Sequence, residues 1–150
     1  MKTLVIVAAA LFLDQITKHM VRVTMELEET IRVLGSVVRF TYIHNPGIAF
    51  GIQIGNTLFF TVLSFMASIG VGWYLVRNRE ESMLMKGSLA LIIGGALGNL
   101  VDRVLFSEVV DFIDVGIGTL RWPVFNVADA AIVSGMFLLF IFYYKNEQCQ

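Results

Sequence analysis

Charged residues divide the chain into long uncharged stretches and short polar connections. No Lys, Arg, Asp or Glu occurs between Phe40 and Val76, and residues 56–76 form an apolar run long enough to cross a bilayer. Residues 123–144 form a second such run, which is interrupted by one acid, Asp129. Each run predicts a transmembrane helix.

Two further spans are predicted from less uniform stretches. Residues 84–103 reach spanning length if Lys86, near one end, extends its ammonium toward the headgroups. The apolar run that follows Lys2 also fits a secretory signal peptide, but no small-x-small cleavage site follows Leu13. The apolar pattern continues beyond that point, so we expect an uncleaved first span over residues 3–21.

Composition supports a membrane protein with a single domain over residues 1–150. The chain is 57% hydrophobic and 15% charged, whereas an ordinary soluble domain has about 25% charged residues. A net charge of −1 without a basic patch argues against nucleic acid as a partner. The single cysteine, Cys149, excludes an internal disulfide and a cysteine-based metal cluster.

The connections predict structure outside the membrane. Residues 31–43 are rich in β-branched and aromatic residues, which predicts a small sheet resting at the membrane surface between the first two spans. Four spans place both termini on one side, and a slight excess of Lys and Arg favours the cytoplasm for that side. The expected fold is therefore mainly α-helical, with four transmembrane helices and an extracytoplasmic sheet.

Polar side chains in or beside the spans converge on one leaflet, whichever way the protein is oriented. Residues in the spans or at their ends are Asp14, Lys18, Asn99, Asp102, Arg103, Asn126 and Asp129, and residues in the connections are Asn45 and Asp111. Ionisable residues at such positions are costly and usually serve a function. The pattern predicts one polar site near one membrane face.

Individual residues have competing interpretations. Asp14 and Lys18 are spaced i, i+4, which favours a structural ion pair. Asp102 with Arg103 fits either that site or an interfacial anchor, and Asp114 is expected to be a surface acid or a helix-end charge. Asp129 has no evident partner and lies about 7 Å inside the fourth span at 1.5 Å per residue, so we assign it a function.

The residue types limit the possible chemistry. His19 and His44 lack metal-ligand spacing, so we expect no metal and no cofactor. The serines of the spans, Ser64, Ser68 and Ser134, are expected to lie outside the polar cluster, which argues against a Ser–Lys hydrolase. Two carboxylates that share a proton could activate water. The alternative is a small proton-coupled carrier or an interaction subunit, although no internal repeat supports a carrier.

Five ordered motifs together resemble lipoprotein signal peptidase, the type II signal peptidase of bacteria. They are Asp14 with Lys18, residues 45–50 (NPGIAF), residues 94–103 (GGALGNLVDR), residues 110–114 (VDFID) and residues 125–129 (FNVAD). The resemblance implies an aspartyl peptidase of the bacterial inner membrane that cuts prolipoproteins just before a diacylglyceryl-modified cysteine. It also implies a short external helix over about residues 105–120.

The resemblance implies a role for each matching residue. Asp111 and Asp129 would be the catalytic pair. Asn45, Asn99, Arg103 and Asn126 would line the substrate site, and Asp14 and Lys18 would support it. We further expect cytoplasmic termini, an active site at the extracytoplasmic face, contact with membrane lipid and a monomeric enzyme.

Overall fold

Four long helices dominate the computed structural model, which describes residues 1–49, 52–53 and 57–147. The helices are α1 (Lys2–Thr24), α2 (Thr57–Arg77), α3 (Met83–Phe106) and α4 (Val127–Glu147). Each is long and apolar enough to cross a membrane, so the prediction of four spans is confirmed. Three positions used in the sequence analysis lie outside the described residues: Phe50, Asn56 and Cys149.

Helix α3 lies at the centre of the bundle and packs against the other three helices. Its contact face contains glycines. An added Cβ at Gly94 would lie 2.7 Å from the Cβ of Ala10 in α1, and one at Gly95 would overlap the carbonyl oxygen of Ala128 in α4. Small residues therefore let these backbones approach closely, as is usual where helices associate within lipid.

A four-stranded antiparallel sheet lies where α1 ends. Its strands are, in spatial order, β1 (Thr30–Leu34), β2 (Val38–Asn45), β5 (Val109–Ile117) and β6 (Leu120–Arg121), while β3 (Ile48–Ala49) and β4 (Ile52–Gln53) form a separate pair. Strands β1 and β2 confirm the sheet predicted between the first two spans. The other half of the sheet comes from the connection between α3 and α4.

The short external helix expected over residues 105–120 is wrong, because β5 and β6 occupy most of that segment. Helix α3 ends at Phe106, and Ser107 turns the chain with a left-handed φ of 65°. The residues that follow are β-branched or aromatic at most positions and pair with β2, where Val109 lies opposite Asn45. Pairing with a distant strand therefore decides the conformation of this segment.

An apolar cluster joins the sheet to the bundle. Val21 and Met25, at the end of α1, pack with Tyr42 from β2 and with Val110 and Phe112 from β5. These two β5 residues flank Asp111 in the sequence. The cluster therefore anchors the strand that carries Asp111 against the end of a transmembrane helix.

Helix α4 begins at Val127, later than the predicted residue 123. The preceding segment belongs to the sheet, because the Ile113 N–H donates to the Phe125 carbonyl at 2.7 Å and the Phe125 N–H donates back at 3.1 Å. Asp129 is therefore the third residue of α4, about 3 Å along the axis from its first residue. The estimate of about 7 Å was counted from a helix start at residue 123, so it does not apply to a helix that begins at Val127.

Candidate active site

Asp111 lies on β5 opposite Ile43 of β2 and is almost completely buried. Its two carboxylate oxygens accept hydrogen bonds from two asparagine amides, Asn45 Nδ2 at 2.8 Å and Asn126 Nδ2 at 2.7 Å. The Gly47 N–H donates to Asn45 Oδ1 at 2.9 Å, which turns the Asn45 NH₂ group toward the carboxylate. The motif that begins at Asn45 thus orients one donor to Asp111.

The pKa of Asp111 is raised from 3.8 to about 7. Burial is the larger cause of this rise, and the nearby charge of Asp129 is the second. The hydrogen bonds from Asn45 and Asn126 and the charge of Lys18 act in the opposite direction. Desolvation and a like charge both disfavour the ionised carboxylate. At neutral pH, Asp111 can therefore hold a proton.

Asp129 forms a reciprocal cap with Asn126 at the start of α4. The Asp129 N–H donates to Asn126 Oδ1 at 2.9 Å, and the Asn126 N–H donates to Asp129 Oδ2 at 3.2 Å. This arrangement follows the capping-box pattern, in which the cap residue and the third helical residue satisfy each other's backbone. The other oxygen, Oδ1, accepts from Asn99 Nδ2 at 2.7 Å.

The two asparagines link the two carboxylates through side chains of α3, β5 and α4. Asn126 Nδ2 donates both to Asp111 Oδ1 and, at 3.1 Å, to Asn99 Oδ1, while the amide of Asn99 donates to Asp129. Asn126 is fully buried and Asn99 nearly so. The sequence analysis placed all four residues at one polar site, and the fold brings them into one hydrogen-bonded group. Their roles in catalysis and in lining a substrate site stay predictions.

A cleft of about 320 Å³ opens onto both carboxylates. Its lining residues are Asn45, Gly47, Phe60, Arg103, Asp111, Trp122, Pro123, Val124, Phe125, Asp129 and Val133. A neighbouring apolar groove of about 360 Å³ also reaches Asp129 and is lined by Trp122, Phe125, Ala130, Val133 and Ser134. The aromatic walls of the cleft were not predicted, because isolated aromatic residues in a membrane protein resemble ordinary lipid-facing residues.

Arg103 lies in the wall of this cleft, as predicted. Its Nη1 donates to Ser64 Oγ on α2 at 3.3 Å, and its guanidinium lies 5.8 Å from the centre of the Phe60 ring. The expectation that Ser64 lies away from the polar cluster is therefore wrong. Helix α2 enters the membrane beside the cleft, and Ser64 falls within reach of the long arginine side chain.

Asp111 and Asp129 together form the candidate dyad. A buried cluster of charges lies behind this dyad. Lys18 Nζ is 2.8 Å from Asp14 Oδ2 and 3.0 Å from Asp102 Oδ2, and all three side chains are fully buried. Arg22 Nη2 is 3.0 Å from Asp102 Oδ1. The expected Asp14–Lys18 ion pair is present, whereas the interfacial-anchor interpretation of Asp102 is wrong.

Arg22 and Gln15 are members of this cluster that sequence reasoning missed. Gln15 Nε2 donates to the Gly98 carbonyl at 3.1 Å and to Asp102 Oδ1 at 3.3 Å. Residues 14, 18 and 22 follow one another at i, i+4 spacing, so they share a helix face. That polar stripe was the available signal.

Asp114 is buried rather than exposed. Arg121 approaches its Oδ1 with Nη2 at 2.7 Å and Nε at 2.8 Å, and Thr41 donates to Oδ2 at 3.1 Å. The prediction of a surface acid or a helix-end charge is therefore wrong, because the residue lies in a strand whose side chains are covered. Its partners belong to the sheet, so the acid pairs away from the dyad.

Comparison with known protein families assigns the chain to one of them. The model of the family described as signal peptidase (SPase) II matches residues 6–145. The chain belongs to this family. As a member of the signal peptidase II family, it is a protease, and the alternative of a carrier is set aside.

Individual relatives and structures cover nearly the whole length of the chain. The lipoprotein signal peptidase of Syntrophus aciditrophicus is 43% identical, with 92% of this chain and 89% of that one covered. The enzyme of the same name from Bacillus subtilis is 40% identical over 94% of this chain and 89% of its own. A solved bacterial membrane enzyme superposes with a TM-score of 0.91 at 30% identity, covering 99% of this chain and 91% of its own.

Proposed function

We propose that this signal peptidase II is an aspartic endopeptidase that removes the signal peptide of prolipoproteins. It cuts immediately before a diacylglyceryl-modified cysteine and uses Asp111 and Asp129 to activate water. The observation that carries the proposal is the pair of carboxylates, buried at Asp111 and half-buried at Asp129, that are joined through Asn99 and Asn126 and open to one cleft. The relatives' shared description as lipoprotein signal peptidases supports the substrate class.

In the proposed mechanism, the dyad binds one proton between its two carboxylates. Asp111, with a pKa of about 7, holds that proton, and Asp129 is the ionised base. Asp129 takes a proton from water as the water oxygen attacks the scissile carbonyl, and Asp111 donates its proton to the developing oxyanion. As the carbonyl re-forms and the carbon–nitrogen bond breaks, one hydroxyl of the tetrahedral intermediate returns its proton to Asp111, and the leaving amine takes the proton held by Asp129.

Polar side chains of the cleft orient the substrate in this proposal. Arg103 and Asn45 face the cleft beside Asp111 and bind the substrate backbone, while Asn99 and Asn126 hold the dyad. The apolar cleft walls, among them Phe60 and Trp122, contact the signal peptide and the acyl chains. Dispersed apolar contacts combined with a few polar groups are typical of such ligand sites.

The position of the dyad suits a lipid-anchored substrate. Asp129 lies in the first turn of α4, and Asp111 lies in the strand that follows α3, so both are near the end of the apolar spans. A diacylglyceryl-cysteine places its acyl chains in the bilayer and its peptide bond near the surface. We place the enzyme in the bacterial inner membrane as a monomer, with cytoplasmic termini and an extracytoplasmic active site.

The test compares Asp111→Asn and Asp129→Asn with the matched control Asp114→Asn. We expect each dyad variant to lose about 10²- to 10⁴-fold or more in kcat on a diacylglyceryl-modified prolipoprotein, because each loses a proton-transfer group. Asp114→Asn retains most of its turnover but unfolds at a lower temperature, since Arg121 loses its charged partner. The measurement is cleavage in reconstituted bilayers, together with thermal unfolding of each variant.

Normal turnover by either dyad variant would overturn the proposed mechanism. The same assay with unmodified prolipoprotein tests the lipid requirement, for which we expect little or no cleavage. Equal cleavage of both substrates would contradict the assignment of the diacylglyceryl-cysteine as the recognised group.

A further inference from the structure

Lys18 is a fully buried cation, and every N–H donor of its ammonium group has an acceptor. It faces Asp14 Oδ2 at 2.8 Å, Asp102 Oδ2 at 3.0 Å and Asn99 Oδ1 at 2.9 Å. An ammonium group has three N–H donors and no acceptor, so these three oxygens satisfy it. In this arrangement Lys18 therefore acts as a hydrogen-bond donor to three oxygens.

The contact with Lys18 determines how the side-chain amide of Asn99 is turned. Because an ammonium group only donates, the Asn99 atom that faces it must be the oxygen. The amide of Asn126 also donates to this oxygen, at 3.1 Å. The NH₂ group of Asn99 is thereby directed to the opposite side, where it donates to Asp129 Oδ1 at 2.7 Å.

We propose that Lys18 is a positioning residue of the dyad, which acts by locking the Asn99 amide with its NH₂ group toward Asp129. A rotated amide would place its carbonyl oxygen against the Asp129 carboxylate, where two acceptors repel each other. The assignment rests on the proposed function, because it gives Lys18 a role in that hydrolysis. Lys18 does not touch the substrate and is not a catalytic residue.

Asp102 connects the same cluster to the other half of the dyad. Its Oδ2, which pairs with Lys18, also accepts a hydrogen bond from the Val110 N–H at 3.3 Å. Val110 directly precedes Asp111 in β5. Lys18 therefore contacts Asn99, which holds Asp129, and its partner Asp102 contacts the backbone next to Asp111.

Arg22 provides an internal comparison, because it is the second cation of the cluster. Its Nη2 is 3.0 Å from Asp102 Oδ1, its guanidinium lies 4.2 Å from the centre of the Phe106 ring, and its side chain is 21% exposed. These partners lead away from Asn99. Loss of either cation leaves the cluster with one net negative charge. Only loss of Lys18 removes the charged donor to Asn99 Oδ1 and leaves that oxygen to the Asn126 amide alone.

The experiment makes two comparisons. The first sets the single variant Lys18→Met beside Arg22→Gln. The second sets the double variant Asp14→Asn/Lys18→Met beside the single variant Asp14→Asn. The double variant removes one acid and one base, so it keeps the cluster neutral if Lys18→Met alone fails to fold. Steady-state kcat and KM are measured on a diacylglyceryl-modified prolipoprotein, and thermal unfolding is measured on the same samples. Proton exchange of the side-chain amides is followed by NMR on protein with ¹⁵N-labelled asparagine.

We expect the double variant to lose about 10- to 100-fold in kcat with KM changed by less than about threefold, because a misplaced dyad slows the chemical step. Arg22→Gln should keep kcat within about threefold of wild type on the same reasoning, even where it lowers the unfolding temperature. The loss in the double variant is measured relative to Asp14→Asn, which shares its first substitution. The Asn99 amide protons should exchange slowly in wild type and faster in the double variant.

Two kinetic outcomes would overturn the proposal: a folded double variant with the kcat of Asp14→Asn, or an Arg22→Gln variant that loses as much kcat as the double variant. If no Lys18 variant folds, NMR on the wild-type protein tests the proposal. Asn99 side-chain amide protons that exchange as fast as those of the exposed Asn146 would refute a fixed orientation of the Asn99 amide. Failure of the proposed function is a separate result: wild type that does not cleave, or Asp129→Asn that does.

Discussion

At the scale of single residues, Asp111 is a deeply buried carboxyl group that must gain and lose a proton in the proposed mechanism. Burial and the charge of Asp129 raise its pKa from 3.8 to about 7, while the amides of Asn45 and Asn126 keep both oxygens hydrogen-bonded. A carboxyl group with a raised pKa stabilises the folded protein below its unfolded pKa and loses that stabilisation as pH rises through its folded pKa. The geometry that suits proton transfer therefore reduces stability at neutral pH.

This reasoning predicts a pH-dependent stability difference between wild type and Asp111→Asn. The unfolding temperature of the variant should rise relative to wild type between pH 4 and about pH 7, and the relative gain should level off above that range. The expected change is on the order of 4 kcal/mol, because the shift from 3.8 to about 7 spans about three pKa units and each unit corresponds to about 1.4 kcal/mol. Thermal unfolding in detergent at several pH values measures it, and a difference independent of pH would contradict the raised pKa.

At the scale of secondary-structure elements, α3 is the element on which the site depends. It carries Asn99, Asp102 and Arg103 near one end, and its glycine-containing face lets α1 and α4 approach closely enough to reach them. Gly98 is the clearest case, because it faces Asp14 of α1 in the buried charge cluster. Helix packing and the polar cluster are therefore parts of one interface.

We predict that Gly98→Ala destabilises the protein. The added Cβ would lie 2.5 Å from Asp14 Oδ2 and would push α1 away from α3. The expected loss is on the order of 1–3 kcal/mol, the usual effect of overpacking. Thermal unfolding measures this loss.

Gly70→Ala is the matched control for that prediction. Gly70 lies within α2, and apart from the adjacent backbone of that helix no atom lies within 4 Å of its added Cβ. Alanine is a better helix former than glycine by up to about 1 kcal/mol, so this variant should be as stable as wild type or slightly more stable. Equal stability of the two alanine variants would contradict the close approach at Gly98.

At the scale of the whole molecule, the helices present a lipid-facing exterior and the polar groups collect at one end. Helix α2 has no buried residue, and its apolar side chains are covered only when lipid surrounds the bundle. The sheet and the dyad lie at the end where α1 and α3 finish and where α4 starts. The opposite end carries the start of α1, the end of α4 and the connection between α2 and α3.

The proposed orientation predicts which cysteines a membrane-impermeant maleimide labels in intact spheroplasts. Thr119→Cys, in a Cys149→Ser background, should be labelled from outside, because residue 119 is exposed beside β6. The natural Cys149 should be labelled only after the membrane is opened. The reverse pattern would place the active site on the cytoplasmic side.

The sequence by itself determined the number of spans and indicated the convergence of polar residues, while the resemblance of its motifs supplied the two acids of the candidate dyad. A membrane-spanning helix must be continuously apolar over a fixed length, so a polar residue inside it is visible without knowledge of the fold. The motif at residues 125–129 contains both members of a local cap, which also depends only on nearby residues.

Only the tertiary structure decided that residues 109–117 form a strand, that Asp114 is buried and that α4 begins at Val127. It also decided the link from Lys18 to Asn99, two residues that are 81 positions apart in the chain. Each of these features depends on a partner from a distant segment. The local pattern of apolar and polar residues shows which groups are costly to bury, but contacts between segments decide which partner compensates each of them.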